Sequence, residues 1–411
     1  MKPSVPPLLL AKYDRPVPRY TSYPTVPAWT GLTKDAWYRS LESASAGRSE
    51  AELALSLYVH IPYCHSLCAF CACTRDIRRD RSLAPRFVDS LLRELELKSR
   101  TWPAAWSRAR LRELHLGGGT PTWLPPAELS RLIGGIRERL PNADQVDISI
   151  EIDPRSFRLE HADALQSVGV HRASLGVQDF HVPTLRAIKR YQSRDQVELV
   201  VDALRARGID RINFDFVFGL PLQTESTMAE TGRHLAQLRP SRVAVYSYAH
   251  LPSLKPAQRD LERHGLPEAA KKRALYESLR ESVETQGYVE IGMDHFALPE
   301  DELVAALTTG TLHRNFMGYT PRRTDLLVGL GPSSLSDSGF AFAQNEKDVE
   351  RWHDRIERGD VDPIGGHALS REDRRRRQII LDLMCRFSTR LSDDEWTQIA
   401  LSEITTVKSS A

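Results

Sequence analysis

The chain has 411 residues, 41% hydrophobic and 27% charged, with no glycine period and no long polar tract, which argues against disorder, collagen and coiled coil. Its 56 Lys and Arg against 54 Asp and Glu leave a formal charge of +2, too balanced for a dedicated nucleic-acid binder, and no apolar run approaches the length that spans a bilayer. The N-terminal stretch from Met1 to Pro7 makes a poor signal peptide, so the expectation is a cytoplasmic monomer that neither binds nucleic acid nor inserts in a membrane.

Residues 1–50, rich in proline, tyrosine and tryptophan without a sustained period, read as an arm lying against the body and covering the active site. Between residues 51 and 300 apolar β-rich runs alternate with helical stretches. Strands are predicted over Leu55–Ile61, Glu113–Leu116, Asp147–Ile152, Arg172–Val177, Arg211–Phe218 and Arg242–Tyr248. Helices are predicted over Ala84–Ser99, Pro126–Leu140, His161–Val168, Arg194–Arg207 and Glu225–Leu238. That alternation argues for the α/β class, with a parallel sheet and crossover helices in either a barrel or an open doubly wound form. Residues 301–365 are expected as an accessory segment completing the site, and 366–411 as a small, mostly helical C-terminal region. In the latter Leu381, Leu383, Met384 and Phe387 are candidate core, and the run Arg374–Arg377 reads as a solvated helix face.

In either sheet form active residues collect at the C-terminal ends of strands. Polar motifs stand at five such ends: Pro62 to Cys73, Gly117 to Pro121, Glu151-Ile152-Asp153, Gln178-Asp179 and Asp215. Four of the five cysteines, Cys64, Cys68, Cys71 and Cys73, fall within ten residues, which indicates metal before disulfide. Cys64-x3-Cys68-x2-Cys71 in one loop suits soft thiolate ligation of an iron–sulfur cluster with one iron left open, whereas a structural zinc loop normally uses four ligands in two pairs. Cys73 is too close to Cys71 to chelate the same cubane and is expected beside it; Cys385 reads as a buried apolar residue. The turn Gly117–Pro121 lets backbone groups approach a ligand, and it lacks both the P-loop lysine and the G-x-G-x-x-G spacing. Glu151 and Asp153 could pass for an acid/base pair, but strand alternation is read as sending them to opposite faces.

The triplet, with Phe70 before Cys71, resembles the signature of the radical S-adenosylmethionine (SAM) superfamily. Longer strings resemble the oxygen-independent coproporphyrinogen III oxidase family: Pro18-Arg19-Tyr20-Thr21-Ser22-Tyr23-Pro24-Thr25, Tyr58-Val59-His60-Ile61-Pro62-Tyr63-Cys64-His65, Ser149-Ile150-Glu151-Ile152-Asp153-Pro154, Gly176-Val177-Gln178-Asp179-Phe180, Tyr248-Ala249-His250-Leu251-Pro252, Gly292-Met293-Asp294-His295-Phe296 and His313-Arg314-Asn315-Phe316. They run in order from about residue 10 to about residue 388. The resemblance implies a partial (β/α)6 radical SAM barrel and one 4Fe-4S cluster held by Cys64, Cys68 and Cys71. SAM on the open iron would be cleaved by one electron to a 5'-deoxyadenosyl radical. The implied reaction is oxidative decarboxylation of two propionates of coproporphyrinogen III to vinyl groups, giving protoporphyrinogen IX for haem biosynthesis, with an external electron donor such as flavodoxin or ferredoxin.

By the same resemblance Tyr58, Gly118, Gly119, Thr120, Gln178, Arg190 and Asp215 would bind SAM, with Arg190 on its carboxylate and Asp215 on the ribose. A second SAM would lie near Glu151, Ala249, Phe316 and Leu335, and Tyr58 and Glu151 would be catalytic. Met317 stands where the family has glutamine, and Leu335 where it has isoleucine. A substrate with four carboxylates calls for cations at the mouth, where Arg19 and Arg314, then Arg259, Arg322 and Arg323, are candidates, and Tyr20 and Tyr23 could cover the pocket. The family pattern is left near Ser388, short of a further C-terminal region; if that region closes the site, activity is expected to be reduced, altered or lost. Met317 and that departure leave open methyl transfer or cyclopropanation on a secondary metabolite. A haem-binding chaperone is a third reading, against which the arm motif and Cys73 stand.

Overall fold

Helix α1 (Lys34–Ser45), started by a Thr33 side-chain cap, leads into strand β1 (Leu53–Ile61), whose Leu53, Leu55, Leu57, Val59 and Ile61 are fully buried. Four more parallel strands follow, β2 (Ala109–Gly118), β3 (Asp147–Ile152), β4 (Arg172–Gln178) and β5 (Arg211–Phe218), and then a fifth, β6 (Arg242–Ser247). The crossovers are α2 (Ala84–Thr101), α3 (Pro126–Arg139), α4 (Leu159–Ser167), α5 (Arg194–Arg205) and α6 (Glu225–Leu238). Their sequences explain their limits. Pro126 occupies the first turn of α3, Ser193 and Gln196 cap α5 reciprocally, and α6 stops where Arg239 turns left-handed at φ 41°. On α2, Phe87, Val88, Leu91 and Leu95 recur every three or four residues and bury one face against the sheet. The computed structural model describes residues 12, 21–46, 53–140 and 146–397, apart from the side chains of residues 104 and 105.

This six-strand β/α unit is the expected partial barrel, and all six strands and five helices stand where the apolar periodicity puts them, within a few residues at most ends. The sheet continues beyond it on both sides. After α7 (Ala269–Thr285), β7 (Val289–Gly292) and β8 (His295–Ala297) add antiparallel strands next to β6. After α8 (Glu302–Thr309), β9 (Leu326–Leu330) pairs in parallel with β1, and β10 (Leu335–Asp337), β11 (Ala341–Gln344) and β12 (Gly365–Ala368) extend that edge. The order is β12-β11-β10-β9-β1-β2-β3-β4-β5-β6-β8-β7. The strands between residues 326 and 344 therefore belong to the main sheet, while His313–Asn315 and Gly318–Thr320 pair only with each other.

Helix α9 (Val349–Glu357) packs on α2, and α10 (Arg371–Arg386) follows β12. The expected C-terminal core is there only in part: Leu383 is 48% and Phe387 61% exposed, but Leu381 is half-buried, Met384 is half-buried against the cluster that holds Cys385, and Cys385 is the buried residue of α10. It joins Ile291, Ala297, Leu303 and Tyr319. Nor is Arg374–Arg377 a merely solvated face. Arg377 pairs with Asp337, Arg374 lies over Phe340 at 5.0 Å, Arg375 pairs with Glu395, and Arg376 reaches Glu372 and the Tyr23 hydroxyl. Arg377 and Arg374 reach β10 and the turn after it, whereas Arg375 and Arg376 pair with acidic residues after and within α10.

The arm motif is only partly visible: Arg19 and Tyr20 lie outside the described residues. What is described of the arm packs at the β11–β12 edge, with Trp29 stacked on Phe342 at 5.5 Å, Thr30 on His367 and Tyr38 donating to Asp362 at 2.6 Å. That part bridges the β12 edge at Gly31 and His367, and none of its described residues lines the cavity that holds the clustered cysteines. Among the described residues no helix is long and apolar enough to cross a membrane.

Candidate active site

Where β1 ends, Tyr63–Cys64 pairs in a short ribbon with Asp76–Ile77, and Cys64 in the ribbon is followed by Cys68, Cys71 and Cys73 in the loop between them. The end of β2 passes this loop closely. Gly118 sits at φ +112°, where a Cβ would come within 2.6 Å of the His60 ring, and a Cβ on Gly119 would meet the Pro62 carbonyl oxygen at 2.5 Å. Glycine is required at both positions by space, and at Gly118 also by conformation. The Gly119 amide donates to the Ile61 carbonyl at 2.8 Å and locks the two strand ends together.

Cys64, Cys68 and Cys71 line one cavity of about 310 Å³ together with Gly118, Gly119 and Thr120. None of them is in a disulfide. Burial pushes the Cys64 thiol up to about 11, against a hydrogen bond with Thr120 Oγ1 at 3.3 Å. A thiol–thiol hydrogen bond with Cys73 brings Cys71 down to about 6 and raises Cys73. Cys73 lines the cavity beside the triplet, where the spacing put it. Cys68 Sγ accepts from Arg155 Nη2 at 3.2 Å and from Arg190 Nη1 at 3.6 Å. Among the described residues no three His, Cys, Asp or Glu side chains converge as they would on a single ion. Three free thiols around one roomy cavity, one of them bound by two guanidinium groups, fit a polynuclear cluster better than a mononuclear zinc.

Glu151 and Asp153 do not face opposite sides: both line this cavity, because residues two apart on a strand share a face. Their surroundings separate them all the same. Burial alone would raise the Asp153 carboxyl, but Arg190 at 3.1 Å and Arg155 at 2.6 Å override it and bring it to about 2. Glu151 accepts from the Gly118 amide at 3.1 Å and meets His115 Nε2 at 3.3 Å, while His115 Nδ1 reaches Ser149 Oγ at 2.7 Å. Tyr58 hydrogen-bonds His60 at 2.9 Å and stacks on His115 at 5.9 Å; burial raises its phenol, and Glu151 adds to the effect.

Gln178, left-handed at φ 69°, and Arg190 and Asp215 also line the cavity. Burial pushes the Asp215 carboxyl up to about 7, although Ser174 Oγ at 2.7 Å and Asn213 Nδ2 at 2.9 Å both donate to it. Arg190 is not a free fork. Its Nε donates to Gln192, its Nη1 to Cys68, and its Nη2 to Asp153 and the Gly176 carbonyl.

A second cavity of about 120 Å³ shares Glu151, Ser174, Asp215 and Tyr246 with the first and reaches Met317. The other residues expected around a second SAM are not gathered there. Ala249 is exposed after β6 with its carbonyl accepting from Gln258, Phe316 lies edge-on to Phe342 at 5.3 Å, and Leu335 pairs with Gln344 in β10, two strands beyond β1. Of the candidate substrate arginines, Arg322 and Arg323 line a cavity against α10 that shares no residue with the cysteine cavity. Arg259 lies in a short helix, and Arg314 is only 3% exposed, its guanidinium 4.6 Å over Tyr319 with Nε and Nη1 lacking partners, so it is not at a mouth. Sequence reasoning missed Arg155, His115, Ser174 and Tyr246; only Arg155 had a signal, directly after the Asp153-Pro154 motif.

Residues 58–235 match the Radical SAM superfamily. The chain is 39% identical over 380 residues to the oxygen-independent coproporphyrinogen III oxidase of Salmonella typhimurium, covering 92% of this chain and 81% of that protein. To the Paracoccus denitrificans enzyme of the same name it is 41% identical over 386 residues, covering 93% and 84%. The solved structure of coproporphyrinogen III oxidase from Escherichia coli, a radical SAM enzyme, superposes with a TM-score of 0.84 at 38% identity, over 92% of this chain and 84% of that one.

Proposed function

The chain belongs to the radical SAM superfamily and, within it, to the oxygen-independent coproporphyrinogen III oxidase family, and from that membership we propose that it oxidatively decarboxylates two propionates of coproporphyrinogen III to vinyl groups, giving protoporphyrinogen IX. The observation that carries the reading is the cavity at the strand ends, where three free thiols face the glycine turn of β2 and the charged end of β3. The similarity to coproporphyrinogen III oxidases over 92–93% of the chain favours this reaction over methyl transfer, cyclopropanation or a haem-binding chaperone. The reading includes an external one-electron donor such as flavodoxin or ferredoxin, a monomeric state and a cytoplasmic setting.

Cys64, Cys68 and Cys71 are the proposed cluster ligands. When bound, the 4Fe-4S cluster and SAM supply one-electron cleavage of the sulfonium and with it a hydrogen-abstracting carbon radical. The protein's part is to place and shield that chemistry. Gly118 and Gly119 let the end of β2 close onto His60 and Pro62 at the cavity wall, and Thr120 adds a hydroxyl beside Cys64. Asp215, with its oxygens oriented by Ser174 and Asn213, suits a pair of ribose hydroxyls. Arg190, already fixed on Asp153 and Gly176, offers a substrate-independent positive charge to a carboxylate. Glu151, oriented by the Gly118 amide and His115, is the group placed to bind a cation or to take a proton at the boundary of the two cavities, with Tyr58 fixing His115 from behind.

An anaerobic assay of the reconstituted, reduced protein with SAM and coproporphyrinogen III, reading 5'-deoxyadenosine and protoporphyrin by chromatography, tests this. Both products are expected, and both should vanish in Cys68→Ala. Deoxyadenosine without vinyl product would leave the radical scaffold and overturn the substrate.

A further inference from the structure

The three proposed ligand sulfurs have different neighbours. Cys64 has a hydroxyl and Cys71 another thiol, whereas Cys68 has two guanidinium groups. Both have every nitrogen engaged, but only Arg155 reaches two residues of the cysteine loop. Its Nε and Nη2 form a fork on Asp153 with distances of 3.0 and 2.6 Å, Nη2 also donates to Cys68 Sγ, and Nη1 reaches Ser66 Oγ at 3.3 Å. One side chain thus ties the end of β3 to two points of the cysteine loop. Asp153 serves both arginines, so two positive charges share one carboxylate, and the side chains of Asp153, Arg155 and Arg190 are only 14, 15 and 5% exposed. Solvent and salt screen such a group poorly, and a net positive charge remains beside one sulfur.

We infer that Arg155 is a positioning residue for the cluster: held by Asp153, it fixes an N–H···S bond on Cys68 that sets the reduction potential of the bound group. The inference rests on the ligand reading above. A donor and a cation at a ligand sulfur stabilise the more negative, one-electron-reduced form, so they raise the potential. The electron comes from the external donor and no proton moves.

The test is a potentiometric titration of the reconstituted full chain without SAM, read by electron paramagnetic resonance and normalised to iron content. Arg155→Met is expected to keep its iron and titrate lower, with the reduced-to-oxidised ratio down about tenfold at the wild-type midpoint, a shift of about 59 mV for one electron. Arg155→Lys keeps the charge without the fork and should fall between the two. An iron-replete Arg155→Met that titrates with the wild type overturns the inference. Should the methionine variant take up no iron, Arg155→Lys decides, and a potential equal to wild type overturns it. Cluster retained in Cys68→Ala would instead sink the ligand reading, a separate result.

Discussion

At the scale of single residues the site is an arrangement of charges whose protonation follows from burial. Asp215 titrates near 7 in the folded chain against an ordinary 3.8, because burial outweighs the bonds from Ser174 and Asn213. A carboxyl raised in this way stabilises the fold below its unfolded value, and that contribution is lost as pH rises through the folded value, here from about 4 to about 7. Asp215→Asn removes the titration. Urea unfolding should therefore show the variant gaining on the wild type between pH 5 and pH 8, and a difference independent of pH would contradict the assignment. The sequence announced the cysteine triplet and the glycine turn because spacing alone constrains them. It did not announce Arg155, whose contacts with Asp153 and Cys68 exist only once β3 and the cysteine loop are side by side. The misplacing of Asp153 was avoidable, since a two-residue step never changes face.

At the scale of elements, legibility followed burial. The six parallel strands are rich in buried apolar residues, nearly continuous in β1 and strictly alternating in β4, and the crossover helices carry a 3.6-residue stripe, with caps on α5 and α6, so both could be read locally. The strands β10 to β12 are three or four residues long and mostly glycine, serine, alanine and polar residues, so only their pairing makes them strands, whereas β9, Leu-Leu-Val-Gly-Leu and buried throughout, carries an apolar signal that the sequence reading passed over. Glu94 and Lys98 show the same limit on α2. Four residues apart, they look like a surface pair, yet they are 1% and 2% exposed, with Glu94 accepting from Gly331, Asn345 and Trp352 and Lys98 donating to Gly329. Removing one partner leaves a buried charge alone. Lys98→Met should cost about 3–5 kcal/mol in urea unfolding, and a loss below about 1 kcal/mol would show the pair to be solvated like an ordinary surface bridge.

At the scale of the molecule, composition and alternation pointed to a β/α core of 51–300 with an accessory segment after it, and the topology joins them. Strand β1 lies between β2 and β9, so a chain cut at residue 300 would bare the backbone edge that Leu55 to Val59 present to Leu326 to Leu330. The same cut would separate Arg242 from Asp301 and Glu302, which it meets at 2.8 and 2.9 Å, and would strip Glu94 and Lys98 of the partners that make their burial tolerable. An unpaired apolar edge of this kind recruits other chains. The fragment 51–300 is accordingly expected to elute as aggregate and to unfold in urea without a cooperative transition, whereas the full chain unfolds cooperatively. A monomeric fragment with a sharp transition would mean that the parallel unit is self-sufficient. The strands after residue 325 would then be an addition to a finished core, in place of the second wall that β1 needs to hold the cysteine loop at its end.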